Sequence, residues 1–104
     1  MSEIEELTCL IRLFANRRDW EKFHTPKNLA MAITGEAGEL AAEFQWLTTE
    51  EASNISNLPV EKIELEIADI AIYLLRICDV LNVNFTEVIK KKMELNEFRF
   101  PASK

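Results

Sequence analysis

LAMAITGEAGELAAEFQWL, residues 29 to 47, reads as one helix with an unsolved charge problem. Leu29, Ile33, Leu40, Phe44 and Leu47 recur at helical spacing, with Ala30, Ala32, Ala37 and Ala41 between them. Glu36, Glu39 and Glu43 fall at i, i+3 and i+7, which sets them in one line along one side. The rest of the circumference is apolar or small. No lysine or arginine lies between Lys27 and Lys62 to neutralise that line. A solvated acidic face alternates with basic residues, and this one does not. A hard divalent cation is the obvious counter-charge.

The surroundings are those of a helical domain. A chain of 104 residues makes one domain, spanning 1–104, and 48% hydrophobic with 29% charged residues is the composition of a folded protein. Only 2 Gly and 3 Pro leave little material for turns, which favours a few long helices over many strands. The formal net charge of −6 argues against nucleic acid or an anionic membrane surface as a partner. Cys9 and Cys78 match no metal or redox spacing and read as small buried thiols of a reducing compartment. The opening SEIEEL has neither a basic nor an apolar leader region, and the longest apolar run, Ile70 to Leu75, is too short to span a bilayer. The expected location is cytoplasmic.

Four helices are predicted and no strand. The first begins at Ser2, where Glu5 completes a capping box, and carries Ile4, Leu7, Leu10, Ile11 and Phe14 before fading around Arg17 to Trp20. Thr25 as N-cap and Pro26 at the first position start the second, which is expected to run to about Leu47. Thr48 to Leu58 is polar and reads as a loop with room for one helical turn. Pro59 starts the third helix, to about Leu81, with its main stripe on Ile63, Ile67, Ile70, Leu74, Ile77 and Leu81. Asn84 with Glu87 is a further capping box, and the fourth helix runs from Phe85 to near Phe98, ahead of Pro101 and a mobile tail. The second and third helices are apolar over too much of their surface for a monomer of this size to cover. The expectation is an all-α, four-helix bundle-like protomer, assembled as a homo-oligomer through those two helices and favoured as a tetramer, a dimer of dimers.

The third helix holds a second polar line. Lys62, Glu66, Asp69, Tyr73 and Arg76 fall within about 40° of one direction, flanked on both sides by aliphatic residues. One carboxylate pair at i, i+3 is ordinary on an exposed helix. Two such pairs, each cut into an apolar helix and joined by a connection that permits an antiparallel hairpin, are not. Facing one another, four carboxylates repel unless protonated or metallated. Oxygen-only ligation, with no Cys or His, points to Mg²⁺ or Mn²⁺ rather than zinc.

These residues carry a resemblance. ExxE at Glu36 and Glu39, ExxD at Glu66 and Asp69, and 26 residues between them resemble the all-α, MazG-like nucleoside triphosphate pyrophosphohydrolases. DWEKFHTPKNLAMAITGEAGELAAEFQW, ELEIADIAIYLL and KKMELNEFRFP, in that order from Asp19 to Pro101, are similar to the dCTP pyrophosphatase subgroup of that family. Gly35 precedes Glu36 where the longer MazG proteins carry a doubled Glu, which also points to the dCTP pyrophosphatase side.

The resemblance implies cleavage of a (deoxy)nucleoside triphosphate between its α- and β-phosphates, in nucleotide-pool house-cleaning. Glu36, Glu39, Glu66 and Asp69 would hold Mg²⁺, with Mn²⁺ the alternative, and Glu39 is the favoured catalytic base for the attacking water. Glu43, a turn further on, reads as surface or supporting. The segment with Trp20, Phe23 and His24, together with Trp46, would line the base and sugar pocket. Tyr73, one turn past Asp69, sits where a base would need an aromatic. Lys92, Asn96 and Arg99 in the tail motif would clamp the triphosphate. Each of these side chains also has an ordinary structural use: core packing for the aromatics and the lone histidine, a solvated helix face for the lysines.

Other classes fit less. A ferritin-like di-iron bundle needs Glu-x-x-His on two helices, and His24 is the only histidine. A non-catalytic helical interaction module explains the apolar faces but leaves two carboxylate pairs without a purpose. Within the enzyme reading, the alternative is a dUTPase-like or other NTP hydrolase of the same fold.

Overall fold

The computed structural model describes residues 1–103; Lys104, the end of the expected tail and of the expected 1–104 domain, lies outside the described residues. Among the described residues the chain is helical and without strands: α1 Glu3–Arg17, α2 Pro26–Ala42, the single-turn α3 Thr49–Ala52, α4 Val60–Leu81 and α5 Phe85–Arg99, with 3₁₀ turns at Glu21–Phe23 and Ile55–Asn57. The four long helices are the predicted ones, and α3 is the helical turn for which the loop had room.

Local chemistry sets most of the boundaries. Ser2 Oγ accepts the Glu5 backbone N–H at 3.2 Å and donates to the Glu5 carboxylate, so the reciprocal bond to the backbone is replaced by one between side chains. Thr25 Oγ1 accepts from the Asn28 N–H at 3.2 Å with Pro26 at the first helical position, as predicted. Thr48 and Glu51 form a full capping box over α3. Asn84 Oδ1 caps α5 through the Glu87 N–H, without a return bond from the Glu87 side chain. Asn82, at φ 57, closes α4, and the N–H of Val83 reaches back to the Cys78 carbonyl at 2.8 Å. Asparagine tolerates this left-handed turn better than most residues.

The second helix ends earlier than its apolar pattern predicts, at Ala42 rather than Leu47. Beyond Ala42 the N–H groups of Phe44 and Leu47 bond to carbonyls three residues back, at 3.0 Å each. That tighter winding carries Trp46 out to 86% exposure. Phe44 and Leu47 remain half-buried, so the apolar signal persists although the α-helix has ended.

α2 and α4 form the main packed pair, and α1 lies on α4. Glu36 and Glu39 meet Glu66, and His24 meets Arg76, so α2 and α4 run antiparallel. The core is thin: Ala15, Leu29 and Leu75 are the fully enclosed apolar residues, and α5 encloses none of its own. The polar line on α4 grows more buried along its length, from exposed Lys62 through half-buried Glu66 and Tyr73 to Arg76 at 6% exposure, with Asp69 left exposed on the way.

That buried guanidinium is compensated. Arg76 Nη1 donates to Asp79 Oδ2 at 3.1 Å, and Arg12 on α1 grips the same carboxylate through Nε at 2.8 Å and Nη2 at 2.6 Å. The hydrogen bonds from Arg12, and then the two positive charges, hold the Asp79 carboxyl below its usual range. Asp79→Ala should cost about 2–3 kcal/mol, because it strips Arg76 of its counter-charge; the half-exposed Arg12 arm contributes the smaller share. Since the folded-state pKa is depressed, the Asp79 contribution is complete above the unfolded value of about 4 and is lost as pH falls through the folded value. Thermal unfolding of both proteins from neutral to acidic pH should show the gap between them narrowing in acid.

Candidate active site

The acidic centre is assembled by the antiparallel pair. Glu36 and Glu39 leave α2 one turn apart and Glu66 faces them from α4, with one oxygen of each within 4.8 Å of the others. Glu36 Oε2 and Glu66 Oε2 are shielded from solvent and have no hydrogen-bond partner, although both residues are otherwise only half-buried. Burial raises the pKa of Glu36, and the charges of Glu39, Asp69 and Glu66 add to it. Burial likewise raises that of Glu66, followed by Glu39, Asp69 and Glu43. No positive group among the described residues enters either environment. Among the described residues, none of the ion pairs involves these carboxylates.

Orphaned, solvent-shielded carboxylate oxygens at this spacing fit a hard cation with several oxygen ligands. Glu39 is the solvent-open member of the three and Asp69 is exposed beside them, which leaves room for further oxygen ligands from water or substrate. Glu36, Glu39, Glu66 and Asp69 are therefore near one another as predicted, with Asp69 at the margin of the cluster rather than inside its tightest group.

An aromatic cleft of about 230 Å³ adjoins the centre and shares Asp69 with it. Trp20, His24 and Tyr73 line it, together with Phe14 and Ile72. Trp20 arrives there through a backbone turn: Asp19 at φ 55 ends α1 and sends the Trp20 N–H back to the Ala15 carbonyl at 3.0 Å. The Trp20 ring then meets Phe14 edge-on at 5.6 Å and His24 at 6.1 Å. His24 Nδ1 accepts from Arg76 Nε at 3.0 Å. A larger groove of about 620 Å³, between the start of α1, the end of α4 and the start of α5, contains neither the acidic centre nor these aromatics.

The remaining predicted residues are not gathered at this cleft. Phe23 is exposed on the 3₁₀ turn before α2, and Trp46 projects from the turns after it. Lys92, Asn96 and Arg99 lie on α5, which meets the rest of the chain only sparsely; Asn96 is half-buried there, and Arg99 covers the Phe100 ring at 5.0 Å. Conversely, Phe14, Ile72 and Arg76 line the cleft without having been singled out as site residues. Arg76 had a signal, since it extends the polar line of Glu66, Asp69 and Tyr73. Phe14 and Ile72 had none, because they are apolar residues of helices like any other.

Comparison with known proteins places the chain among pyrophosphatases. No protein-family model matches the chain. The human protein dCTP pyrophosphatase 1 is 40% identical over 101 residues, covering 95% of this chain and 59% of the human one. The dCTP pyrophosphatase 1 of Bos taurus is likewise 40% identical over 101 residues. The chain thus spans 59–60% of the length of these two curated relatives. Among solved structures, a pyrophosphatase from Archaeoglobus fulgidus superposes with a TM-score of 0.90 at 43% identity, covering 98% of this chain and 95% of that one. With 43% identity over near-complete coverage of that structure, and 40% identity to the two dCTP pyrophosphatases, the chain belongs to the MazG-like all-α nucleoside triphosphate pyrophosphohydrolases, in the dCTP pyrophosphatase-like subgroup.

Proposed function

We propose that this protein hydrolyses a deoxynucleoside triphosphate, dCTP or a close relative, to the monophosphate and pyrophosphate, with Mg²⁺ as its cation and Mn²⁺ as a substitute. The observation that carries this reading is the pair of orphaned carboxylate oxygens on Glu36 and Glu66 beside an aromatic cleft. The relatives named for dCTP supply the substrate class.

In this reading Glu36, Glu39, Glu66 and Asp69 hold the cation, which when bound supplies charge neutralisation at the phosphate oxygens and acidifies water. Glu39 takes the proton of the attacking water, because it is the solvent-open member of the cluster whereas Glu36 and Glu66 each have an oxygen shut away from solvent. Trp20 and Tyr73 offer ring faces to the base, and Asp69 ties the base cleft to the phosphate end.

A homo-oligomer is part of the proposal, with a dimer-of-dimers tetramer as its form. The chain exposes 8336 Å², whereas a monomer of this mass exposes about 6,000 Å². Its radius of gyration is 16.8 Å, against about 13 Å for a compact chain of this length. The excess area is more than one side of a standard interface and suits an obligate assembly. Phe98 at 91% exposure and Phe100 at 67% are part of what such an assembly would cover. Since no cation among the described residues reaches the carboxylates, we assign Lys92, Asn96 and Arg99 to the triphosphate as contributions from a second copy, with Phe23 and Trp46 closing the base pocket. No described helix is long and apolar enough to cross a membrane. We propose a cytoplasmic location, in which Cys9 and Cys78 remain free thiols.

Three measurements test this. Incubation with Mg²⁺ and each common NTP and dNTP should release monophosphate plus pyrophosphate, fastest from dCTP. Release from dUTP instead would move the protein to the dUTPase-like alternative, and no release from any nucleotide would favour a non-catalytic helical module. Glu39→Gln should lower kcat by about 10² or more; unchanged turnover would remove it as the base. Glu36→Gln should raise the metal-free melting midpoint by a few degrees, since it relieves repulsion at an unpaired oxygen, and should abolish the further rise that Mg²⁺ gives the parent protein. A Mg²⁺-induced rise of the same size in this variant would overturn the assignment of Glu36 as a ligand.

A further inference from the structure

The ring of His24 is fixed by its contact with Arg76. Arg76 Nε donates to His24 Nδ1 at 3.0 Å, and Arg76 is only 6% exposed. A guanidinium has five donors and no acceptor, so the nitrogen it faces must offer a lone pair. Turning the ring over would set a C–H against the guanidinium in place of that lone pair. A proton on both nitrogens would set N–H against N–H and cation against cation. Burial, followed by the Arg76 charge, also pushes the His24 pKa down. The ring is therefore neutral and carries its proton on Nε2. That nitrogen is not engaged by the chain in any hydrogen bond among the described residues, and His24 lines the same cleft as Trp20, Asp69 and Tyr73.

Arg76 cannot easily swing away from this contact. Its Nη1 is held by Asp79, and Arg12 clamps Asp79 from α1 with two bonds. The sequence of contacts runs from α1 through α4 to the residue two places before α2, so three parts of the fold agree on where the imidazole stands.

We propose that Arg76 is a positioning residue that locks His24 as its Nε2–H tautomer, giving the cleft a fixed donor for the acceptor edge of a nucleobase. This rests on the reading of the cleft as the base site. Stacking on Trp20 or Tyr73 grips any base, because every base has a π-face. A donor that cannot become an acceptor favours a ring carbonyl or an unprotonated ring nitrogen and opposes an exocyclic amine. Arg76 thereby acts on which edge of the base is read, through His24 and without touching the reacting phosphates.

His24 is the only histidine of the chain, so its ring nitrogens can be read without ambiguity. The full-length protein, labelled with ¹⁵N-histidine, is examined at neutral pH by long-range ¹H–¹⁵N correlation without nucleotide. The expected pattern has a pyrrole-type nitrogen coupled to both ring C–H protons, which is Nε2, and a pyridine-type nitrogen coupled to one, which is Nδ1. A protonated Nδ1, or averaged nitrogens, in this parent protein would overturn the proposal, whether or not any variant folds. Arg76→Met should then show averaged nitrogens and a KM for dCTP raised about tenfold, the worth of roughly one hydrogen bond, with kcat changed less than about twofold and the Mg²⁺-induced rise in melting midpoint retained. An unchanged tautomer in the variant would overturn the role of Arg76. A released tautomer with unchanged KM would overturn the assignment of Nε2–H to the base. Failure of the parent protein to hydrolyse any nucleotide would instead count against the proposed function, and the tautomer measurement would stand apart from it.

Discussion

Carboxylates from α2 and α4 face one another with no cation between them among the described residues, and the arrangement of the helices follows from tolerating that. Glu36, Glu39 and Glu66 converge only if α2 and α4 are antiparallel and in one register. The contacts that impose this register are elsewhere on the same two helices and just before α2, in the buried side chains of Leu29 and Leu75 and in the bond between Arg76 and His24. Repulsion at one end is thus borne by apolar burial and a compensated cation at the other. A group of acids that raises the free energy of the fold would be relieved by a cation bound there, and such binding would stabilise the fold.

The two ends of this helix pair treat charge in opposite ways. Around Asp79, each charge has a partner of opposite sign: Arg12 and Arg76 share its two oxygens, and Arg76 Nε also donates to the His24 imidazole. Around Glu36 and Glu66, one shielded oxygen of each has no hydrogen-bond partner among the described residues. A complete network rigidifies, and an incomplete one waits for a ligand. The aromatic cleft lies between them, with Asp69 from the open centre and Arg76 from the closed network both in its wall.

How far the sequence could be read depended on whether the relevant physics was local. The carboxylate line of Glu36, Glu39 and Glu43 and the caps at Ser2, Thr25 and Asn84 are local, and their helices start where those residues put them. The end of α2 was not legible, because Phe44 and Leu47 keep an apolar rhythm while the backbone has tightened into i+3 turns. The cleft was half legible. Trp20, His24 and Tyr73 could be named as aromatics near an acidic motif, but their meeting depends on the left-handed turn at Asp19 and on a guanidinium 52 residues downstream of His24. Arg76 read as the end of a polar line set into an apolar helix, and it is the most enclosed charged residue among those described, but its partners His24 and Asp79 could not be read with it. Lys92, Asn96 and Arg99 mark the other boundary: periodicity assigns them to a helix but carries no information about which surface, or which copy of the chain, that helix faces.

The central claim is that Glu36, Glu39, Glu66 and Asp69 form a cation site for a nucleotide's phosphates. Its most direct test is the anomalous scattering of Mn²⁺ in crystals grown with a dCTP analogue whose α–β bridge resists hydrolysis. The account predicts Mn²⁺ density within bonding distance of these carboxylates, shared with phosphate oxygens, and the base in the cleft beside Trp20 and His24. Mn²⁺ bound elsewhere, or a nucleotide seated in the larger groove between α1 and α5, would contradict it.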